Sequence, residues 1–193
     1  MRIEKTGVKD LVVARLGSET LKPVERPADA VGFGGIVHAQ LFGPDGKLKQ
    51  YEYGYNLVTD YGDDVIATRL ILDAVEIVTG MKLGTGATAA AKNGAGAAIV
   101  TYEAGSNEDL DAPATEATKG AGAGWRTTYV CTWIAGDVTE VALAEVVLTN
   151  ETPLTDVASV VGDTVARFVF GATIDKQAGD SLVVTWQIDV LGA

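Results

Sequence analysis

The stretch 181–191 alternates too regularly to fold as anything but a strand: Leu182, Val184, Trp186, Ile188 and Val190 share one face, and Ser181, Thr185, Gln187 and Asp189 the other. Apolar residues at every second position mark a half-buried β-strand. The preceding segment 165–174 places Phe168, Phe170 and Ile174 on one side and Arg167 on the other, and KQAGD at 176–180 is a polar turn. Two strands with a short polar link predict a closing hairpin. Its apolar residues, Phe168, Phe170, Leu182, Val184, Trp186, Ile188 and Val190, are the predicted core.

Strand and turn signals recur upstream. GGIVHAQLFGPDGKLKQYEYGYNL at 34–57 reads as strand, turn, strand around Gly43-Pro44-Asp45-Gly46. Segment 76–83 is a short strand with Val78, Met81 and Leu83 toward the core. Segment 125–135 sets Trp125, Tyr129, Cys131 and Trp133 against Arg126, Val130, Thr132 and Ile134. In 140–149, Val141, Leu143 and Val147 oppose Ala142, Ala144, Val146 and Leu148, so this strand is expected to be buried on two sides or covered by a partner. A single amphipathic helix is predicted at 61–74, capped by Thr59 or Asp60, with Asp63 and Asp64 at its positive end and Ile66, Leu70, Ile71 and Ala74 at helical spacing. The fold class is therefore mainly β, an antiparallel two-sheet sandwich with jelly roll as the leading topology and one short α-helix. The sandwich is assigned to 31–193. Residues 1–30 carry one strand at 11–16 and then Pro23 and Pro27 among charges, which predicts an extended N-terminal arm.

A chain of 193 residues suits one domain and buries roughly 70% of its unfolded surface, so no disulfide framework is needed. The lone Cys131 lies in an alternating apolar segment and is expected to be a buried, inert thiol. Residues 1–30 hold six Lys/Arg against five Asp/Glu, and the remainder nine against twenty-one. So acidic a body repels phosphate backbones, and nucleic acid is not an expected partner. With no run of eighteen apolar residues and no hydrophobic signal core in MRIEKTGVKD, the chain is expected to be made as a soluble cytoplasmic protein with no membrane partner. Hydrophobic content of 47% fits a β-rich subunit partly covered by copies of itself.

Several segments tempt a chemical reading and fail on spacing. GTGATAAAKNGAGAAI at 84–99 lacks the G-x-x-x-x-G-K-[ST] order of a phosphate loop, and 32–35 lacks the spacing and following helix of a dinucleotide fingerprint. His38, the only histidine, has no nucleophile or second ligand at useful spacing. Asp60, Asp63 and Asp64 do not follow a calcium-loop order and read as helix-start acids. The acidic stretch 100–124 is the longest irregular segment and is expected to be a solvated loop or, second, an exposed contact loop; its density of oxygen ligands matches no defensible metal pattern. No catalytic group, cofactor or metal is expected. Candidate partner contacts are Arg2, Lys5, Lys9 and Arg15 in the arm and Glu108, Asp109 and Asp111 in the acidic loop.

The order NLVTDYGDDVIA, KLGTGATAAA, WRTTYVCTW, TEVALAEVVLTN and VARFVFGATIDKQAGDSLVVTWQIDV, covering 56–190, resembles a broad group of tailed-bacteriophage virion proteins. In that group an N-x-V-T-x-x-G segment leads into a short helix, a G-T-G loop follows, and paired T-E-V and I-x-K-x-x-G-D-x-L-x-V-T-W segments close a β-sandwich. The resemblance implies a structural role as a capsid decoration or cement protein, or as part of the neck or tail, with the major capsid protein or a neighbouring virion protein as partner. Binding at many equivalent lattice positions favours a homo-oligomer, with a trimer the leading expectation. A rival from another class is a carbohydrate-binding module, since Tyr51, Tyr53 and Tyr55 fall on one strand face where sugars could stack; packing against a neighbouring subunit or sheet is the favoured reading of those tyrosines.

Overall fold

The computed structural model describes residues 34–69, 77–118 and 125–190, together with two short antiparallel pieces nearer the N-terminus, β1 (Arg15–Leu16) and β2 (Glu19–Thr20). The remaining strands are β3 (Gly34–Phe42), β4 (Leu48–Val58), β5 (Gly80–Gly84), β6 (Glu108–Asp109), β7 (Thr115–Thr118), β8 (Trp125–Trp133), β9 (Glu140–Thr149), β10 (Thr164–Lys176) and β11 (Ser181–Val190), with one helix, α1 (Asp60–Arg69). The chain is mainly β and antiparallel. Its nine longer-range strands hydrogen-bond in the order β6-β5-β9-β10-β4-β3-β11-β8-β7.

This sheet curls until its ends nearly meet. The Asp111 N–H donates to the Val130 carbonyl at 2.9 Å, and the Cys131 thiol lies 3.4 Å from the Glu108 carbonyl, so the segment through β6 and β7 bridges β5 to β8. At the opposite side the sheet is thin, because β4 meets β10 through only Ala166↔Val58 and Arg167↔Leu57. The result is two half-sheets, β6-β5-β9-β10 and β4-β3-β11-β8-β7, facing each other across one core in a nearly closed barrel.

The β3–β4 hairpin forms as its turn residues dictate, with the Gly43 N–H on the Lys47 carbonyl at 2.8 Å and Gly46 at φ +74°, a conformation that glycine adopts without a Cβ penalty. Thr59 caps α1 through its Oγ1, which accepts the Gly62 N–H at 2.9 Å. Asp60 and Asp63 occupy the first turn, and the continuation predicted for 70–74 lies outside the described residues.

The closing hairpin does not form. β10 pairs with β9 and β4, whereas β11 pairs with β3 and β8, so residues 177–180 cross between the half-sheets instead of turning back beside β10. Alternation identified both strands correctly, but pairing depends on which neighbours complete each layer. A second correction concerns β9. Leu143, Val146 and Leu148 all belong to the core, which breaks simple alternation, and the ladder to β10 shifts register over the same stretch. Over that stretch β10 advances five residues, from Val169 to Ile174, while β9 advances two, from Glu145 to Leu143, and this bulge in β10 interrupts the ladder where β9 changes faces. The stretch 100–124 is also less irregular than expected, since it contains β6 and β7.

The core joins Val37, Ala39 and Leu41 of β3 to Met81 and Leu83 of β5, Cys131 and Trp133 of β8, Phe168 and Phe170 of β10, and Leu182, Val184, Trp186 and Ile188 of β11. Phe168 and Phe170 meet edge to face with centroids 5.6 Å apart. The side chain of Val190 lies outside the described residues. Because Trp186 is fully buried, Trp186→Ala should cost about 3–5 kcal/mol of folding stability, read as a lowered urea midpoint with an unchanged slope.

Candidate functional site

The outer faces of the two half-sheets differ in kind. On β5, β9 and β10 the outward row Lys82, Val147 and Arg167 is fully buried, because the loops after β5 and β9 lie over it. Glu145 and Arg167 form a salt bridge with both side chains inaccessible, the Arg167 Nε donating to Glu145 Oε2 at 2.8 Å. The other carboxylate oxygen, Oε1, accepts the backbone N–H groups of Gly86, Val100 and Thr101 at 3.0, 3.0 and 2.9 Å. Arg167 Nη1 donates to the Gly96 carbonyl at 3.2 Å. The small-residue stretch that invites a phosphate-loop reading thus turns the Gly86 N–H, together with those of Val100 and Thr101 just after it, onto the protein's own carboxylate. Small size is required there: a Cβ on Gly86 would lie 2.4 Å from Glu145 Oε1.

Other buried charges pin the remaining loops. Lys82 pairs with Glu151 and donates to the Val157 carbonyl at 2.9 Å, with its Nζ 5.9 Å from the Tyr102 ring centroid. Burial tends to raise the Glu151 carboxyl, but the Lys82 and Thr155 hydrogen bonds outweigh it and hold the group below its ordinary range. Tyr102 donates to Asp156 at 2.7 Å, and burial, followed by that bond, pushes its phenol up to about 12. Lys176 gives its three N–H bonds to the carbonyls of Ile134, Asp137 and Val138 at 3.1, 2.5 and 3.1 Å. Burial lowers its pKa, while Asp137 and Asp180 act the other way. Asp180 accepts from Lys49 at 2.6 Å, and that bond is the main cause holding its carboxyl below the usual aspartate range.

The opposite face, on β4, β3, β11 and β8, is partly exposed, nearly uncharged and, among the described residues, covered by no loop. His38, Tyr51 and Tyr53 form an aromatic cluster at its centre, with ring centroids 5.8–6.4 Å apart and planes within 14°. His38 Nδ1 is 2.5 Å from the Tyr51 hydroxyl. Burial first, and Arg126 second, lower the pKa of His38, so the neutral imidazole is favoured near pH 7. Across the register, Thr185 lies between His38 and Val130, and Gln40 pairs with both Tyr51 and Val183. Arg126 grips Asp189 through Nε and Nη2 at 2.7 and 3.1 Å, closing the face at one end.

Of the predicted partner contacts, Arg2, Lys5 and Lys9 lie outside the described residues. Arg15 falls in β1 opposite Thr20, its side chain likewise outside what is described. Glu108, Asp109 and Asp111 come together along the barrel seam. Asp111 accepts from Thr132 Oγ1 at 2.7 Å, and burial, then Asp137, Asp111 and Asp109, raise the pKa of Glu108. Cys131 is fully buried beside them, and burial pushes its thiol up. The helix-start acids contact the small-residue loop, Asp63 pairing with Lys92 and Asp60 accepting from Asn93 at 2.9 Å. Among the described residues no group of three or more His, Cys, Asp or Glu is arranged to hold a metal ion, and no helix is long and apolar enough to cross a membrane.

Comparison with protein-family models, with curated proteins and with solved structures finds no match. Glu145, Lys82 and Lys176 did not stand out in the sequence. The available signal was a charge inside a strand apolar on both faces: a carboxylate at 145 in EVALAEVVLT must be paired if both faces are buried.

Removing one member of the inaccessible pair leaves the other charge stranded. Arg167→Ala should therefore cost about 3–5 kcal/mol and speed hydrogen exchange at Gly86, Val100 and Thr101. The lowered carboxyl of Asp180 contributes stability that is fully present above the ordinary aspartate pKa and is lost as pH falls through its lower folded value. Lys49→Met should flatten the acid limb of stability below about pH 4, measured by urea unfolding at successive pH values.

Proposed function

We propose that the chain is a structural subunit of a tailed-phage virion, a capsid decoration or cement protein that binds and stabilises the head shell. One observation carries the reading: segments of the virion-protein resemblance converge on a single physical frame. Thr59 from NLVTDYGDDVIA bonds the Val165 carbonyl of the closing segment through both its backbone N–H and its Oγ1, at 3.1 Å each. Gly86 from KLGTGATAAA and Arg167 from the closing segment both bond Glu145 of TEVALAEVVLTN. WRTTYVCTW lies along the final strand in continuous register. These contacts place the segments of the pattern in one sheet around one core.

On this reading the half-sheets, joined by two residue pairs between β4 and β10, are the two layers of a jelly-roll-like sandwich. The protein is made as a soluble chain in the host cytoplasm and ends in the virion, without catalytic activity, as a homo-oligomer for which three copies is the leading expectation. Tyr51 and Tyr53, half-buried and stacked at the centre of a partly exposed face, favour a second reading: a neck or tail component that recognises host carbohydrate.

Cosedimentation with purified expanded capsids decides between them. Saturable binding is the expected outcome, weakened when residues 1–30 are deleted. Failure to bind capsids, combined with glycan binding that Tyr53→Ala abolishes, would assign the protein to the second reading.

A further inference from the structure

The outer face of β4, β3, β11 and β8 is an anomaly in an acidic protein. The chain has 26 Asp and Glu against 15 Lys and Arg, yet among the outward residues of these four strands Asp189 is the single carboxylate, and Arg126 neutralises it. Asp111 stands at the β8 edge, where it accepts from Thr132. The middle of the face is His38, Gln40, Tyr51, Tyr53, Val130 and Thr185, all partly exposed. No loop covers it among the described residues, whereas the charged outer face of the other half-sheet is buried under two loops.

We propose that this face binds a second copy of the same chain. The charge distribution selects that occupant. A basic partner would be attracted to carboxylates, which lie elsewhere on the surface. A copy that itself carries a net charge of −11 can approach closely only where carboxylates are absent or neutralised. The area also suffices: four strands of about nine residues, spaced ~4.8 Å with a rise of ~3.4 Å, give a footprint of about 600 Å². Two such faces bury about 1,200 Å², the size at which specific protein interfaces begin. Stacked tyrosines and β-branched side chains supply the contact, in the manner of sheet-on-sheet packing. Because both copies use the same face, this contact closes as a two-fold dimer and is separate from the three-copy expectation above; it rests on charge and area and not on the virion resemblance.

Sedimentation equilibrium of the full chain, without capsids, tests it. The parent should show a concentration-dependent mass above the 20.0 kDa monomer. Thr185→Glu, at the centre of the face, and the isosteric Gln40→Glu should each weaken association at least about tenfold, with thermal unfolding confirming that both remain folded. Val141→Glu, at an exposed site on β9 that is 60% accessible, should leave association unchanged. A parent that stays monomeric at all concentrations overturns the inference, as does an oligomer indifferent to both face variants. An oligomer that appears only after residues 1–33 are removed would show that the chain's own N-terminal segment occupies the face, and would overturn it equally. Capsid cosedimentation of a monomeric parent would sink this inference alone, whereas self-association without capsid binding would sink only the decoration role.

Discussion

A single buried carboxylate organises half of the molecule. Glu145 sits in the middle of a strand with both faces covered, and its charge must be met by other groups or it could not remain there. Arg167 supplies the countercharge, and the amides of Gly86, Val100 and Thr101 supply the remaining hydrogen bonds. Because the three amides belong to the stretch that follows β5, the same carboxylate draws that stretch over the outer face of β9 and β10. The loop in turn excludes water and makes the ion pair buried. Neither part stands without the other, since an uncovered loop of small residues has little apolar surface of its own to bury.

That arrangement divides the labour between the two half-sheets. One outer face is charged, covered and used up in holding the fold. The other carries aromatic, β-branched and amide side chains and remains partly exposed. Lys82 and Lys176 repeat the principle at smaller scale, each fixing loop carbonyls with an ammonium group taken out of water.

The residues that alternate most cleanly were the most legible. Period two located β3, β8, β10 and β11, and Phe168, Phe170, Leu182, Val184, Trp186 and Ile188 follow from it as interior positions. Asp-Gly turn chemistry located the β3–β4 hairpin, and capping residues located the start of α1. The aromatic cluster was half legible: spacing put Tyr51 and Tyr53 on one face, but His38 joins them through cross-strand register, which no local pattern encodes. Glu108, Asp109 and Asp111 read as loop acids and instead line the seam where the barrel closes, because the bonds from Asp111 and Glu108 to β8 span residues far apart in sequence.

By itself the sequence determined where most of the described strands lie, which faces of β3, β8, β10 and β11 are apolar, and that the chain is mainly β with a helix starting at Asp60. Those properties depend on the φ/ψ preferences and side-chain alternation of consecutive residues, and they are set locally. The tertiary structure alone decided that β10 and β11 belong to different half-sheets, that β9 shifts its faces midway, and that the glycine-rich stretch closes on Glu145 and not on a ligand. Each of these depends on pairing between residues distant in the chain, where many registers satisfy the same alternation and only the requirement to neutralise buried charge and fill one core selects among them.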